Sequence, residues 1–338
     1  MGKQQIKTNR KAGAAALLGI FLLGFGQASV FAAPAKSGTS NGNQTLRVSP
    51  VKTSVTVKPG ETGVVQTYVT NVTSGTLNVQ AIENDFVAGD ETGSPAIILD
   101  PNSYAPSHSL KRFMLPISNI TIPAKATQEV DVTIKVPKTA QAGGYFGAVR
   151  FAPAVAGVSG STQVSLGASV ASLILMTVPG PTVEQLLLTD FSVQQNGGSA
   201  SNFRSSSDLS LFMRFQNKGN LQEAPFGQIY VQKGKKVVFS YNFNQQQPQD
   251  NVLPDSARRW NQPLKGFGKF GKYTVGGTFS YGTKGQSIEI TKTVWIIPTG
   301  YIIGAIGSIA LLALIGGGSY LFLKSYKRKI LSSSRRRY

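Results

Sequence analysis

Residues 128–137 read QEVDVTIKVP. Val130, Val132, Ile134 and Val136 alternate with Asp131, Thr133 and Lys135, a period of two that sends the apolar side chains to one face of a strand. The pattern recurs on both sides, in TSVTVKPG (53–60), GVVQTYVTN (63–71), TLNVQAIENDF (76–86) and YFGAVRFAP (145–153). Gly, Pro, Asn and Asp turns punctuate these runs and no convincing amphipathic helix interrupts them, so the sequence predicts an all-β, Ig-like antiparallel β-sandwich. The apolar run TQVSLGASVASLILMTVPG (162–180) is rich in Gly and β-branched residues. It is expected to pair back against GGYFGAVRF (143–151) and complete a first domain over 45–180.

After Pro179, Gly180 and Pro181 a second series begins: VEQLLLTDFSVQ (183–194), DLSLFMRFQNKGN (208–220), FGQIYVQKGKKVVFSYNF (226–243), GKYTVGGTFSYG (271–282) and QSIEITKTVWIIP (286–298). A second, tandem Ig-like sandwich is predicted over 181–294. KGKK (233–236) reads as its hairpin turn, with Gly234 at positive φ. FQNKGN (215–220) reads as a strand leaving into an Asn/Gly turn.

Both ends of the chain speak of export. Lys3, Lys7, Arg10 and Lys11 precede an apolar run and the small residues of ASVFAAPA, the layout of a signal peptide over 1–32 with cleavage after Ala32. A flexible spacer fills 33–44. At the other end, no charged side chain occurs from Thr293 to Leu323. Pro298–Leu323 would make a helix of about 39 Å, enough to cross a hydrocarbon core of roughly 30 Å. A transmembrane helix is therefore predicted over 295–323, with Trp295, Tyr301, Tyr320 and Tyr326 at the two interfaces. The cations of the tail (324–338), led by Lys324, Lys327, Arg328 and Lys329, form a cytoplasmic flank under the positive-inside rule and set the topology. Gly300, Gly304 and Ser308 repeat at the spacing that lets helices pair. IIPTG (296–300) sits where a sortase signal would, but lacks the residue between proline and threonine, so the helix is taken as a permanent anchor.

The net charge of +19 shrinks once these segments are set aside. Signal peptide and tail hold 11 of the 34 basic residues, leaving 23 against all 15 acids. Nucleic acid is not needed as a partner. Residues 44–180 carry 9 basic and 8 acidic residues, whereas 181–294 carry 13 and 7, so an anionic partner or surface is expected in the second half. The chain has no cysteine, which removes disulfides, thiol nucleophiles and cysteine-based metal sites.

Catalysis has little to stand on. His108 is the single histidine, in the Pro/Ser stretch APSHSLKR, and is read as a solvated loop residue. Asp85, Asp90 and Asp100 could serve a glycan hydrolase only if two of them met across a cleft. ENDFVAGDETG (83–93) concentrates oxygen ligands, so Glu83, Asp85, Asp90 and Glu91 are the calcium candidates, though without EF-hand spacing. In QAGGYFGAVRF (141–151), Tyr145, Gly147, Val149 and Phe151 share a face. Core packing is the plain reading, with Gly147 leaving a gap for a neighbouring ring; the alternative is an edge or groove around Tyr145 that receives a partner strand or glycan. LPDSARRW (253–260) offers Arg258, Arg259 and Trp260 as a stacking and hydrogen-bonding face for a glycan or acidic chain, against a buried Trp260.

LRVSPVKTSVTVKPGETGVVQTYVTN (46–71) followed by ITIPAKATQEVDVTIKVPKTAQAGGYFGAVRF (120–151) resembles the DUF916 domain of WxL-interacting cell-surface proteins. The second half, with FQNKGN, VLPDSARRWNQPL, GKYTVGGTFSYGTKG and VWIIP, resembles the companion domain of the same family. The resemblance implies a membrane-anchored surface protein whose first sandwich contacts peptidoglycan and whose second contacts a host or partner ligand. The first domain is also similar to the sandwich of pilus-type chaperones, which lend a strand to a client. The expectation is thus a non-enzymatic, cofactor-free, single-pass protein of the cell membrane, its ectodomain outside, binding peptidoglycan or a glycan and another surface protein. A strand-donating assembly factor and a membrane-anchored glycan hydrolase are the alternatives.

Overall fold

The computed structural model describes residues 45–154 and 169–334. The expected signal peptide and spacer, the first part of the 162–180 run and the terminal Arg335–Arg337 lie outside the described residues. The all-β expectation holds: two β-sandwiches precede one long apolar helix.

The first sandwich is built from β1 (Leu46–Ser49), β2 (Lys52–Thr56), β3 (Thr62–Asn71), β4 (Leu77–Ala88), β5 (Pro95–Ile97), β6 (Ile120–Ile122), β7 (Thr127–Lys135), β8 (Gly143–Pro153) and β9 (Val170–Val178). One sheet runs β1-β3-β7; the other runs β2-β9-β8-β4-β5, with β6 also on β4. The alternation that predicted β7 is the alternation of burial: Val130, Val132 and Ile134 are buried, and they meet Val149, Phe151, Ile174 and Met176 of the facing sheet. Each such side chain contributes about 2 kcal/mol by leaving water. β9 pairs antiparallel with β8 from Gly143↔Val178 to Phe151↔Val170, as the sequence predicts.

Three details differ from expectation. The sandwich is not wholly antiparallel, because after β1 the chain changes sheets and β2 lies parallel to β9. β8 is central, paired on both sides by β4 and β9, so it has no edge to offer a partner strand. The space over Gly147 is filled by Leu110 and Met114, not by a ring; a Cβ there would stand 2.8 Å from Met114 Cε and 3.0 Å from Leu110 Cβ.

The second sandwich comprises β10 (Leu186–Gln195), β11 (Gly198–Ser199), β12 (Asn202–Phe203), β13 (Leu209–Asn217), β14 (Phe226–Lys233), β15 (Lys236–Phe243), β16 (Ala257–Pro263), β17 (Gly271–Tyr281) and β18 (Gln286–Ile296). Its sheets run β11-β10-β13-β16 and β12-β18-β17-β14-β15. An aromatic core joins them: Phe215 meets Phe279 at 5.2 Å and Phe243 at 6.1 Å between ring centroids. The Lys233–Lys236 hairpin turns at Gly234 with φ +60°, as expected.

Both sandwiches repeat one device. β3 ends at buried Asn71, whose Oδ1 accepts from Thr73 N–H and whose Nδ2 donates to Gly75 O. β13 ends at buried Asn217, whose Oδ1 accepts from Gly219 N–H and whose Nδ2 donates to Leu221 O. A buried amide that bonds two and four residues ahead satisfies backbone groups where the strand leaves the sheet.

The helix α1 spans Thr299–Ser334 and is long and apolar enough to cross a membrane. Its apolar side chains face outward, away from any protein core. The predicted bounds shift at both ends. Trp295 and Ile296 stay in β18, because they pair with β17, and the helix runs on beyond Leu323 through Lys324, Lys327 and Arg328.

Candidate functional site

The two sandwiches are joined, and a cleft opens at the joint. On one side of it Glu91, in the turn after β4, receives a forked contact from Arg214 of β13: Nε lies 3.1 and 3.0 Å from the two carboxylate oxygens and Nη2 2.6 Å from one. The guanidinium holds the Glu91 carboxyl below the usual carboxylate range, and the carboxylate raises Arg214 in turn. Arg259 N–H, on the otherwise open edge of β16, donates to Glu91 O at 2.7 Å. Gly93, at φ +90°, passes so close to Arg258 that a Cβ would overlap its guanidinium. On the other side Asn220 accepts from Gly144 N–H at 2.7 Å and donates to Ala142 O at 2.9 Å, while Gln222 reaches Thr177. Between them Leu253 packs against a small apolar cluster of Phe86, Phe146 and Leu175 on the outer face of the first sandwich.

Beside this plug lies a cavity of about 540 Å³. Its walls are mostly apolar, with Val51, Phe86, Leu173, Leu175, Pro248 and Leu253 among them, and Lys52, Arg258, Asp90 and Asp250 supply its charge, two groups of each sign. Burial pulls the Lys52 ammonium below its ordinary value, Asp250 pulling the other way; its Nζ donates to Gln249 O. Arg258 pairs with Asp250 at 3.1 Å, donates to Asn251 O, and lies 5.0 Å over the Trp260 ring, yet its buried Nε has no hydrogen-bond partner. The chemistry this arrangement offers is capture: a concave apolar wall with a few polar groups to fix orientation.

The sequence picked out Arg258, Arg259 and Trp260 as an open stacking face, and the structure corrects this. Phe215↔Arg258 are opposite residues on β13 and β16, so Arg258 and Trp260 point to the core side. Trp260 is half-buried, edge-on to Phe215 at 5.6 Å and Phe243 at 5.4 Å. Tyr145 is likewise half-buried, its hydroxyl donating to Gln141 O and its ring 4.9 Å from Phe113. His108 is not a free loop residue: its Nδ1 lies 2.6 Å from Gly144 O and its ring faces Phe146 at 5.8 Å. Together with Arg112 and Phe113 these residues line a second cavity of about 420 Å³.

The calcium candidates do not converge. Asp85 is fully buried and accepts from Ala105 N–H, Ser109 Oγ and Lys111 N–H, which ties the 105–111 loop to β4. Glu83 accepts from Ile117 N–H, Asp90 caps Thr92, and Glu91 is held by Arg214. No cluster of three metal-ligating side chains occurs among the described residues. In α1, Ser308 Oγ donates to Gly304 O of its own helix, and open space surrounds Gly300 and Gly304.

Sequence reasoning missed Glu223. Its main chain exchanges two hydrogen bonds with Val252, and its side chain is buried beside Glu184. Burial first, then the Glu184 charge, push its carboxyl up to about 7, against a hydrogen bond from Gly282. Leu-Gln-Glu in a loop carries no signal of that burial.

A scan against protein-family models finds no match, and a search of curated proteins finds none either. Solved structures do resemble the chain. The class 5 fimbriae chaperone CfaA is 12% identical with a TM-score of 0.37, over 75% of this chain and 99% of that one. The E. coli chaperone DraB is 14% identical with a TM-score of 0.31, over 74% and 96%. The Pseudomonas aeruginosa CupB2 chaperone is 9% identical with a TM-score of 0.31, over 73% and 99%.

Proposed function

We propose that this chain is a membrane-anchored, extracytoplasmic binding protein, without enzymatic activity, that captures an apolar segment of a second surface protein in the cleft between its sandwiches. The observation that carries the reading is the cleft itself: apolar walls, a few charged groups of both signs, and a joint that holds its two sides together. The helix is the anchor, and the cations from Lys324 onward keep its end in the cytoplasm and the sandwiches outside. The first sandwich, farther along the chain from α1, is the part assigned to peptidoglycan, on the resemblance to WxL-interacting proteins. Such a protein works by proximity, raising the local concentration of its partner at the wall without a tight individual contact.

Strand donation is the weaker reading. β7 is an edge of the first sandwich, but it carries exposed Glu129 and Asp131, and charged edges resist added strands. The test uses the full chain in detergent. A photo-crosslinker placed at Val51 should join the chain to a discrete exported protein, whereas the same group at exposed Val64, away from the cleft, should not. Co-sedimentation with peptidoglycan sacculi should persist at high salt. Equal crosslinking from both positions would end the capture reading, and loss of sedimentation with salt would end the wall assignment.

A further inference from the structure

The basic excess of the second half is not spread over its surface. The Lys233–Lys236 turn and the loop between β16 and β17 adjoin: Lys233 Nζ reaches Phe270 O, and Gly271 packs against the Lys233 stem. Lys233, Lys235 and Lys236 of the turn are exposed, as are Lys265, Lys269 and Lys272 at the loop. Sheet pairing puts both at the end of the sandwich from which the helix issues, since Gly271↔Ile296 and Lys272↔Trp295 are opposite residues and α1 begins at Thr299. The β10–β13 connection reaches this end as well, through β12 on β18, and adds exposed Arg204. Across these segments the only acid is Asp208.

Apolar rings stand among the cations. Phe270 is 47% exposed and stacks on Tyr301 of the first helical turn at 5.0 Å, and Trp295 is 39% exposed with Lys272 Nζ 6.0 Å over its ring. Aromatic side chains beside a membrane helix prefer the headgroup level, and lysines around them find phosphate there.

We infer that this end of the second sandwich is a membrane-facing surface that binds the anionic headgroups of the outer leaflet and holds the ectodomain against the bilayer. This goes beyond partner capture and rests on α1 crossing the membrane. The chain's lack of cysteine makes the test direct. A fluorophore on K235C, in the full chain in nanodiscs, is quenched by headgroup spin-labelled lipid. Quenching should be several-fold stronger in discs containing phosphatidylglycerol than in phosphatidylcholine alone, should fall at high salt, and should be lost when Lys233, Lys236, Lys265, Lys269 and Lys272 become Gln. The same label on Q128C, in the first sandwich, should respond to neither lipid. Equal quenching in both discs refutes the inference. So does a K235C signal that answers to soluble polyphosphate but not to lipid charge, which would assign the surface to a soluble polyanion. A chain that incorporates into neither disc refutes the membrane span itself, and the inference with it.

Discussion

Glu223→Gln is the sharpest test of the structure of the second sandwich. In the folded chain the Glu223 carboxyl is pushed from an ordinary 4.5 up to about 7, chiefly by burial and then by the neighbouring Glu184. The folded state therefore holds this proton more tightly than the unfolded chain does. Stability is greatest below pH 4.5 and falls as pH rises toward 7, where the folded carboxyl also ionises and the penalty levels off. A shift of this size, at 1.36 kcal/mol per pKa unit, amounts to about 3 kcal/mol in full, of which about 2 to 3 kcal/mol falls between pH 5 and pH 8. For a domain of this length that lowers Tm by on the order of 10 °C. Both tryptophans, Trp260 and Trp295, belong to the second sandwich, so thermal unfolding of the full chain followed by tryptophan fluorescence reports on it. Glutamine mimics the protonated acid. E223Q should match the wild type near pH 4 and exceed it at pH 8, with the slope between pH 5 and 7 abolished. An unchanged slope would show that Glu223 titrates normally and is not held beside Glu184 in the folded chain.

Three further outcomes follow from named contacts. E91Q should remove the forked pair with Arg214 at the joint; the pair is about a third exposed, so the loss is about 1 kcal/mol, read as a separation of the two sandwiches' unfolding transitions in calorimetry. D85A leaves three donors of the 105–111 loop without an acceptor and should cost about 3 kcal/mol or more, with hydrogen exchange accelerating first in that loop. G227A should abolish folding of the second sandwich, because its Cβ would lie 1.9 Å from Thr278 O on the paired strand, whereas G147A, opposed by the movable Met114 tip and the less movable Leu110, should cost about 1 to 3 kcal/mol; equal thermal shifts in the two would contradict the packing.

How much of this was legible follows from what a sequence encodes locally. Alternation such as VDVTIKV survives because the inner face of a sheet is buried along its whole length, so strands and their inward residues could be read directly. The change of sheet between β1 and β2 could not, since KTSVT has the same pattern whichever strand it joins. In ARRWNQP the period of two was itself the missed signal. It puts Arg258 and Trp260 on one face, and Phe215 opposite Arg258 makes that face the inner one. Glu83, Asp85, Asp90 and Glu91 suggest a ligand cluster because they lie close in sequence. In the fold Asp85, near the end of β4, is buried under the 105–111 loop, and Glu91, in the turn that follows, is held at the joint. The lysine surface is the converse: its two groups, Lys233–Lys236 and Lys265–Lys272, are separate in sequence and meet only through the register of β14, β17 and β18.

These positions give the molecule a fixed order. β17 and β18 run the length of the second sandwich, eleven residues each. At roughly 3.4 Å per residue that is about 37 Å between the helix end and the far end, where β13 gives way to Asn220 and where β16 begins. The cleft at that far end would therefore stand at a set height above the bilayer, provided the joint holds. Two sandwiches on a loose linker would let it wander, and a partner bound there would be presented at many heights. The Glu91–Arg214 fork and the Asn220 contacts lie on opposite sides of the Leu253 plug, so hinge motion in either direction must break one of them. Neither contact is worth much alone. Their value lies in geometry, because each resists the motion that the other permits.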